Sequence, residues 1–361
     1  MHSLITRAWV EIDLGALLRN GAKMAAHAGV PLLPMVKADA YGLGAVRVAR
    51  ALEQLDPWGF GIATIAEGEE LRAAGITRPI VIFTPILPAD FDAALRADIM
   101  PTLGDRASIE HWIVSKRPWQ LAIDTGMNRA GVSWTDVDSL RDVLPLCPPA
   151  GVYTHFHSAE LNDASRDEQE RRFDAALAKL PVRPALVHAD NGAAVEHRGH
   201  SRWSIARPGV FLYGVSSGHS PQIVPEPVAS LRARIVDLHT VPSGDSVSYD
   251  ATYTASGERR IATLGIGYAD GYRRALSNRG IVLVHGRRVP VAGLVTMDMT
   301  MIDVTDVPCG IGDVATLIGA DGNDRLTVAE VAGVAEMSPY ELLTGLRGRL
   351  PRRYLDDEAA A

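Results

Sequence analysis

Lys37 is the residue whose surroundings point most directly to chemistry. It follows the apolar run Leu32-Leu-Pro-Met-Val36 without a break. An ammonium group at the end of such a run faces a desolvation cost, which favours the neutral amine. A neutral lysine amine can act as a nucleophile and form a Schiff base. The small residues and glycines that follow, up to Gly44, leave room beside it. The pattern therefore predicts a reactive amine at Lys37.

Two later turns have the composition of a phosphate site. Asn191-Gly-Ala193 and Arg207-Pro-Gly-Val210 each follow a short apolar run. Their small residues allow a ligand to approach the backbone N–H groups closely. Turns of this kind bind phosphate when they follow the last two strands of a (β/α)₈ barrel. The simpler interpretation is two ordinary turns.

The histidines offer a different chemistry. His155 and His157 are two residues apart on a strand-like run, so their side chains point the same way. Together with His188 and Asp190 they could hold a divalent metal for hydrolysis. The first strand carries no matching pair of ligands. We therefore keep the metal site as an alternative and predict that no metal is bound.

The elements that must position these residues alternate along the first two thirds of the chain. A helix is predicted from Asp13, a plausible N-cap, to Ala28. Eight strand-like runs follow with helical patterns between them: 31–38, 58–64, 79–84, 99–103, 120–124, 151–157, 185–190 and 204–206. This alternation predicts a parallel (β/α)₈ TIM barrel. A doubly wound open sheet is the competitor, but no Gly-rich dinucleotide fingerprint follows the first strand.

The pattern of predicted elements changes after Val224-Pro-Glu-Pro227. Strand patterns then follow one another closely: 231–241, 260–266, 280–284, 289–294, 299–304 and 314–318. Two short helices are predicted near the end, at Thr327 and Ser338, each with the spacing of a capping box. We predict a barrel domain over residues 8–225 and a mainly antiparallel β domain over 226–361, with residues 1–7 packing against the latter.

Composition narrows the class of protein. The 361 residues are 47% apolar and 22% charged, with a formal net charge of −7 and no basic block. A mildly acidic chain of this kind predicts neither nucleic acid nor membrane as a partner. It has two distant cysteines, Cys147 and Cys309, and no secretory signal pattern at its start. These features predict a cytoplasmic enzyme.

The motifs and their order resemble those of the alanine racemases, which are pyridoxal-phosphate (PLP) enzymes of fold type III. The resemblance covers nearly the whole chain. It is carried by Ala8-Trp-Val-Glu-Ile-Asp-Leu14, Val36-Lys-Ala-Asp-Ala-Tyr-Gly-Leu-Gly44, Ile123-Asp-Thr-Gly-Met-Asn-Arg129, Thr154-His-Phe156, Arg207-Pro-Gly209, Leu212-Tyr-Gly214, Val247-Ser-Tyr249, Gly267-Tyr-Ala-Asp-Gly271 and Met297-Asp298.

The resemblance implies a role for each matching residue. Lys37 would carry PLP and handle the proton on the D face of the substrate, and Tyr249 would do so on the L face. Tyr249 of the partner subunit would complete each site, so a homodimer is expected. The remaining cofactor contacts would be Tyr41, His155, Asn191, Gly192, Arg207, Gly209 and Val210. Arg129, Tyr268, Met297 and Asp298 would lie near the substrate.

Physical chemistry agrees with these implied roles. Racemisation removes the α-proton from one face and returns a proton to the other, and two bases are a direct solution. Arg207 cannot easily release its proton, so it would leave the cofactor's ring nitrogen largely unprotonated, with His155 as a relay to it. Without the resemblance, Val247-Ser-Tyr249 would be interpreted as ordinary strand sequence.

Three positions depart from the family pattern. Ala122 stands where many members carry a carbamylated lysine that orients the arginine. Thr296 replaces a common cysteine, and Gly348 replaces a tyrosine that reaches the cofactor phosphate. Arg129 must then be held by something else, such as an anion, and a water or another hydroxyl must serve the phosphate.

The expected activity is interconversion of L- and D-alanine, supplying D-alanine for peptidoglycan. The alternative is a racemase for another amino acid, such as serine, or one of broad specificity. A PLP-carrying regulatory protein would resemble the barrel alone. A fold type III decarboxylase shares the architecture, but its substrate motifs are not evident here.

Overall fold

The computed structural model describes residues 6–161 and 163–355 of the chain. These residues form two compact units. The first comprises residues 17–40 and 44–226. The second comprises residues 6–16, Tyr41–Leu43 and 227–355, so the opening strand β1 (Ala8–Ile12) belongs to it.

The first unit is built on short parallel strands. Each pairs in register with the next, and a short extra strand pairs with β5. The strands are β2 (Phe60–Ile62), β3 (Ile80–Ile82), β4 (Met100–Leu103), β5 (Gln120–Asp124), β6 (Val132–Ser133), β7 (Gly151–Tyr153) and β8 (Leu186–His188). Most of their residues are buried, as expected for strands covered on both faces.

Two further segments close this sheet into a ring. Residues 32–35 bridge to β2 at Met35 and Gly61, and to the segment before Arg207 at Leu32 and Ala206. That segment pairs back toward β8, because the Ser204 N–H donates to the carbonyl oxygen of Val187. The six main strands and these two segments make the eight strands of a barrel. The predicted (β/α)₈ barrel is therefore confirmed.

Helices and turns connect the strands of the barrel. They are α1 (Leu14–Ala28), α2 (Lys37–Gly42), α3 (Ala45–Leu52), α4 (Ile65–Ala73), α5 (Phe91–Arg96), α6 (Arg106–Trp112), α7 (Ser165–Lys179) and α8 (Gly192–Arg198). The predicted cap of α1 is correct, since Asp13 Oδ1 accepts from the Ala16 N–H at 2.7 Å. Met24 and Ala28 of α1 pack with Leu32, Val195 and Ala206 at the closing seam.

The second unit is a nine-stranded sheet in the order β14-β13-β16-β9-β1-β18, with β12 joining β9 to β15 and β17 pairing with β16. Its strands beyond β1 are β9 (Ala229–Val241), β12 (Arg259–Leu264), β13 (Ile281–Val284), β14 (Arg287–Pro290), β15 (Thr300–Asp303), β16 (Val314–Asp321), β17 (Asp324–Leu326) and β18 (Arg352–Tyr354); a separate hairpin comprises β10 (Ser246–Val247) and β11 (Tyr253–Thr254). All pairs are antiparallel except β1 with β18. The predicted antiparallel domain is confirmed.

Two helices, α9 (Val328–Val334) and α10 (Pro339–Thr344), lie near the end of the chain. Ser338 and Glu341 form the complete capping box predicted for α10. Thr327 caps α9, but the carboxylate of Glu330 pairs with Arg288 at 2.6 Å. The second predicted capping box is therefore only half formed.

The unit boundaries differ from the predicted domains at the beginning of the chain. The prediction starts the barrel at residue 8, whereas β1 pairs with β9 and β18 of the second unit. Residues 6–7 lie in that same unit, and residues 1–5 are outside the described part of the chain. Cys147 and Cys309 are free thiols. No helix in the described ranges is both long and apolar enough to cross a membrane.

Candidate active site

Lys37 begins a left-handed helical turn. The predicted strand ends before it, and Ala38, Asp39, Ala40 and Tyr41 all have φ between 51° and 56°. The left-handed conformation costs an L-residue about 1–2 kcal/mol, so a run of four needs support from its surroundings. The Ala38 N–H donates to Glu67 Oε1 at 2.7 Å, and the Ala45 N–H donates to Asp39 Oδ1 at 2.7 Å. These bonds fix the direction in which Lys37 leaves the strand.

Glu67 is a site-positioning residue that the sequence analysis missed. Its other oxygen, Oε2, accepts from the N–H groups of Ala63 and Thr64 and completes the N-terminal cap of α4. The capping signal Thr64 to Glu67 is visible in the sequence, but the bond to Ala38 is not. One carboxylate thus links the start of α4 to the backbone beside Lys37.

Lys37 lines a cavity of about 300 Å³ at the carboxyl ends of the barrel strands. Arg129, His155, Tyr153 and Ala122 line the same cavity. Burial lowers the pKa of Lys37, and the positive charge of Arg129 lowers it further, while Glu67 acts in the opposite direction. The surroundings therefore favour the neutral amine, as predicted from the apolar run before it.

Arg207 is fully enclosed within the barrel. Its Nη2 donates to the carbonyl oxygens of Thr154 and Ala189, at 2.8 and 2.9 Å. Its Nη1 donates to Nδ1 of His188 at 2.7 Å, which requires His188 to carry its proton on Nε2, where Gln120 Oε1 accepts it at 2.9 Å. Burial lowers the pKa of Arg207 to about 10, so it remains charged at neutral pH.

The histidine next to Arg207 is not the predicted one. The sequence analysis expects His155 to be the relay, whereas His188 makes the hydrogen bond. Burial and the charge of Arg207 hold the pKa of His188 well below its usual range. Burial lowers the pKa of His155 to about 3, and the charges of Arg207 and Arg129 act in the same direction. Both imidazoles are therefore neutral.

The two predicted phosphate turns come together. Asn191 and Arg207 form a parallel bridge, and Asn191 Oδ1 accepts from the Ala194 N–H at 2.9 Å to cap α8. A Cβ on Gly192 would lie 3.6 Å from the Gly209 nitrogen, so the two glycines face the same small space. Val210 opens the 3₁₀ turn that follows. The geometry forms a cradle of backbone N–H groups.

Arg129 lies at the mouth of the barrel and is exposed. The loop before it is fixed by Asp124 Oδ1, which accepts from the N–H groups of Gly126 and Asn128. Within the described residues, the Arg129 guanidinium makes neither an ion pair nor a hydrogen bond. Ala122 is buried on β5 beside Tyr153 of β7 and offers it no anion. The departure at Ala122 thus leaves the arginine free for a ligand.

Tyr249 lies in the second unit, in the loop of the β10–β11 hairpin, and is 71% exposed. Ser248, Asp250 and Ala251 have φ between 48° and 69°. Ser248 Oγ donates to the Leu294 carbonyl oxygen at 2.8 Å, and Gly293 has no side chain to block this contact. Non-glycine residues in left-handed backbone cluster at functional sites. Tyr249 is therefore in a held loop and not, as its sequence alone would indicate, in a strand.

Tyr268, Met297 and Asp298 also lie together in the second unit. The Tyr268 N–H donates to the Thr296 carbonyl oxygen at 2.9 Å. Gly267 allows this approach, because a Cβ there would lie 2.2 Å from that oxygen. Asp298 is paired with Arg349 at 2.7 Å, so its carboxylate has a partner within its own unit.

Two other positions of interest are in the second unit. Tyr41 is buried, its ring centroid is 6.2 Å from that of Tyr340, and burial raises its pKa. Gly348, where relatives carry a tyrosine, is exposed with open space around it.

Three of the four residues of the alternative metal site are committed elsewhere. Both ring nitrogens of His188 are hydrogen bonded, and Asp190 Oδ1 pairs with Arg166 at 3.0 Å. His157 is exposed and bonds Ser158. In the ranges that the structure describes, no three His, Cys, Asp or Glu side chains form a metal-binding group.

Comparison with known proteins identifies the family of the chain. The family model "Alanine racemase, N-terminal domain" matches residues 12–217, and "Alanine racemase, C-terminal domain" matches residues 228–354. The alanine racemase of Halothermothrix orenii is 36% identical over 379 residues, which cover 98% of each chain.

Solved structures agree over the same extent. An alanine racemase from Bartonella henselae with covalently bound pyridoxal phosphate is 27% identical with a TM-score of 0.90, covering 97% of this chain and 100% of that one. A histidine racemase from Leuconostoc mesenteroides is 26% identical with a TM-score of 0.89, covering 98% and 99%. The chain belongs to the alanine racemase family, a family of PLP-dependent isomerases.

Proposed function

We propose that Lys37 and Tyr249 are the two proton-handling residues of an alanine racemase that works as a homodimer. The observation that carries the proposal is the Lys37 amine, which lies in a desolvated cavity beside Arg129 and the neutral His155. A neutral amine at this position can accept a proton at Nζ. Tyr249 Oη handles the proton on the opposite face of the substrate.

The residues of the barrel fit PLP. The Lys37 amine is available for attachment, and the cradle at Gly192 and Gly209 has space that a side chain would fill. Asn191 and Val210 complete that cradle around the phosphate. When bound, PLP supplies an electron sink that lowers the cost of removing the α-proton.

Arg207 sets the electronic character of the site. Its three hydrogen bonds to Thr154, Ala189 and His188 fix the guanidinium, and its high pKa keeps its proton in place. An arginine facing a ring nitrogen donates a hydrogen bond without transferring the proton. This limits the lifetime of negative charge on the substrate carbon and favours simple return of a proton.

Arg129 is the proposed partner of the substrate carboxylate. It is exposed at the cavity, and its guanidinium has no competing acid among the described residues. Tyr268 and Met297 lie near the substrate in this proposal. Asp298 holds the loop of Met297 in place through Arg349.

The exposure of Tyr249 supports the proposed dimer. A catalytic phenol that is 71% exposed needs a surface to cover it, and the partner subunit's barrel is the proposed one. Each active site then contains Lys37 of one protomer and Tyr249 of the partner subunit.

A mixing experiment tests both residues and the dimer together. Lys37→Ala and Tyr249→Phe proteins are each inactive, but dimers formed from one of each contain one complete site. After unfolding and refolding together, about one quarter of the wild-type activity should return, by random pairing of equal subunits. A tag on one variant, followed by co-purification of the untagged one, measures subunit exchange. Exchange without recovered activity would overturn the shared site.

Substrate breadth has a specific rival. The similarity to a histidine racemase shows that this fold accepts a larger side chain in another protein. A chiral assay on alanine, serine and histidine at equal concentrations decides the matter. We expect alanine to have the highest kcat/KM.

The biological role that we propose is supply of D-alanine for cell-wall peptidoglycan in the cytoplasm. The free thiols of Cys147 and Cys309 are compatible with a reducing compartment. Depletion of the protein in its host should stop growth unless D-alanine is provided in the medium.

A further inference from the structure

Glu196 is a buried acid for which the proposed mechanism has no use. It lies on α8, four residues after Gly192, and its side chain is fully buried. Oε2 accepts from Ser216 Oγ at 2.7 Å and from the Ser217 N–H at 2.9 Å. Oε1 has no hydrogen-bond partner among the residues that the structure describes. A buried polar atom left unpaired costs about 1–3 kcal/mol, so this oxygen needs an explanation.

The unpaired oxygen faces the phosphate cradle. A Cβ on Gly192 would lie 3.9 Å from Glu196 Oε1 and 3.6 Å from the Gly209 nitrogen. The first N–H groups of α8 also have no partner within the helix. Asn191 satisfies those of Ala194 and Val195, which leaves those of Gly192 and Ala193. Oε1 and several backbone N–H groups therefore border one small space.

We propose that Glu196 is protonated when the enzyme holds PLP and donates a hydrogen bond from Oε1 to the cofactor phosphate. This rests on the proposed phosphate site at Asn191, Gly192 and Gly209. It also accounts for the loss of the tyrosine that Gly348 replaces, because the carboxyl supplies a hydroxyl donor from within the barrel.

Charge decides which form of Glu196 is compatible with the phosphate. An ionised carboxylate beside a phosphate dianion would be repelled strongly in a water-poor site. The protonated acid is instead a donor, and its other oxygen still accepts from Ser216 and Ser217. Burial also raises the pKa of Glu196, which makes the neutral form more accessible.

The groups around Glu196 do not compensate the negative charge of its carboxylate. On α8, a positive charge on His197 would favour the ionised form of Glu196, but its Nε2 donates to the Ser217 carbonyl oxygen at 2.7 Å and not to the carboxylate. From the following segment, Ser216 and Ser217 offer only neutral donors. Arg166 of α7 bonds the Ala194 carbonyl and Asp190, and so is committed to other acceptors.

Two substitutions separate donation from mere packing. Glu196→Gln keeps an acceptor for Ser216 and Ser217 and places a permanent N–H₂ donor where Oε1 lies. Glu196→Leu keeps the volume and removes the donor. The matched control is Glu170→Gln, which neutralises a carboxylate paired with Arg166 in the same unit.

The experiment measures PLP affinity of each full-length apoprotein between pH 6 and 9, by absorbance of the protein-bound cofactor. Wild-type affinity should fall as pH rises and Glu196 ionises, whereas Glu196→Gln should lack that component. Glu196→Leu should bind PLP about 10-fold more weakly at pH 7, the loss expected for one hydrogen bond to a charged group. Glu170→Gln should follow wild type.

A second readout observes the phosphate directly. The ³¹P resonance of bound PLP reports its ionisation, and its titration should differ between wild type and Glu196→Gln. Coincident affinity curves and coincident ³¹P titrations would overturn the proposal, even if Glu196→Leu fails to fold. Absence of protein-bound PLP in wild type would instead refute the proposed cofactor site.

Discussion

Two short stretches of left-handed backbone, one in each unit, carry the two proposed proton-handling residues. The turn after Lys37 is supported by Glu67 and Asp39, and the amine lines a cavity of the barrel. The hairpin loop of Tyr249 is held by Ser248, but its phenol remains 71% exposed. Left-handed backbone thus occurs beside both residues, whereas the Tyr249 side chain is more exposed than that of Lys37. In the proposed dimer, the partner subunit would cover the Tyr249 phenol.

The largest expected effect comes from Lys37, which lines the cavity of the barrel. Lys37→Ala should lower racemase activity by about 10⁴-fold or more, since the variant loses both cofactor attachment and a proton-transfer group. Borohydride treatment followed by peptide mapping should find a pyridoxyl group on Lys37 in wild type and none in the variant. Lys23→Ala, which removes an exposed lysine of α1, is the control. A pyridoxyl adduct on another lysine in wild type would contradict the assignment.

The exposed residue should give a smaller and directional effect. Tyr249→Phe keeps the ring and removes Oη, and should slow racemisation by about 10²–10⁴-fold. Proton removal from L-alanine should suffer more than removal from D-alanine, as measured by exchange of the α-hydrogen in D₂O. Tyr253→Phe in the same hairpin loses only its bond to Asp303 and tests the loop itself. Equal slowing of proton removal from both enantiomers would contradict the assignment of the two bases to opposite faces of the substrate.

The buried histidines predict a pH effect on stability that belongs to the barrel. The folded-state pKa values of His155 and His188 lie below the unfolded value of about 6.5. Their contribution is therefore complete above that pH and is lost as pH falls. Each should lower the free energy of unfolding by about 1.4 kcal/mol per pH unit below pH 6. Urea unfolding from pH 7.5 to 5.5 measures this.

His188→Gln provides the comparison for that slope. The variant should be less stable at every pH, because Arg207 and Gln120 lose a buried partner. The slope of its unfolding free energy against pH should nevertheless be smaller by about 1.4 kcal/mol per pH unit, which is the contribution of one proton. An unchanged slope would show that His188 does not stay neutral in the folded barrel.

The smallest effect concerns the backbone of the Lys37 turn. Ala38→Gly relieves about 1–2 kcal/mol of left-handed strain but increases the entropy of the unfolded chain by about 0.5–1 kcal/mol. The free energy of unfolding should rise by about 0.5 kcal/mol, as measured by urea titration. Ala93→Gly in α5, where the backbone is right-handed, should be destabilising. Destabilisation by both would mean that the turn is not strained.

The sequence predicted what depends on local pattern. Apolar runs located the barrel strands, and Asp13 and Ser338 located helix starts, because both signals lie within a few residues. The left-handed turn was missed, since Ala38-Asp-Ala-Tyr41 is ordinary sequence and the strain is balanced by Glu67, which is distant in the chain. The hydrogen bonds that link Arg207 to His188 and His188 to Gln120 were missed for the same reason.

The second unit shows the same limit. Apolar strands were predicted, but β17 and β18 are short and mostly charged, and each strand of the β10–β11 hairpin has only two residues. Residues 8–12 were included in the predicted barrel domain, and no strand was predicted there. The actual partners of β1 are β9 and β18, which no local pattern reveals.

That pairing of β1 has a consequence for synthesis of the protein. Residues Ala8–Ile12 are synthesised well before their parallel partner Arg352–Tyr354. At 5–20 residues per second, the intervening chain takes roughly 20–70 s to appear. Throughout that interval one edge of an apolar strand has no native neighbour, and such edges promote aggregation. Nascent chains should therefore depend on a chaperone that shields this strand until Arg352–Tyr354 has been made.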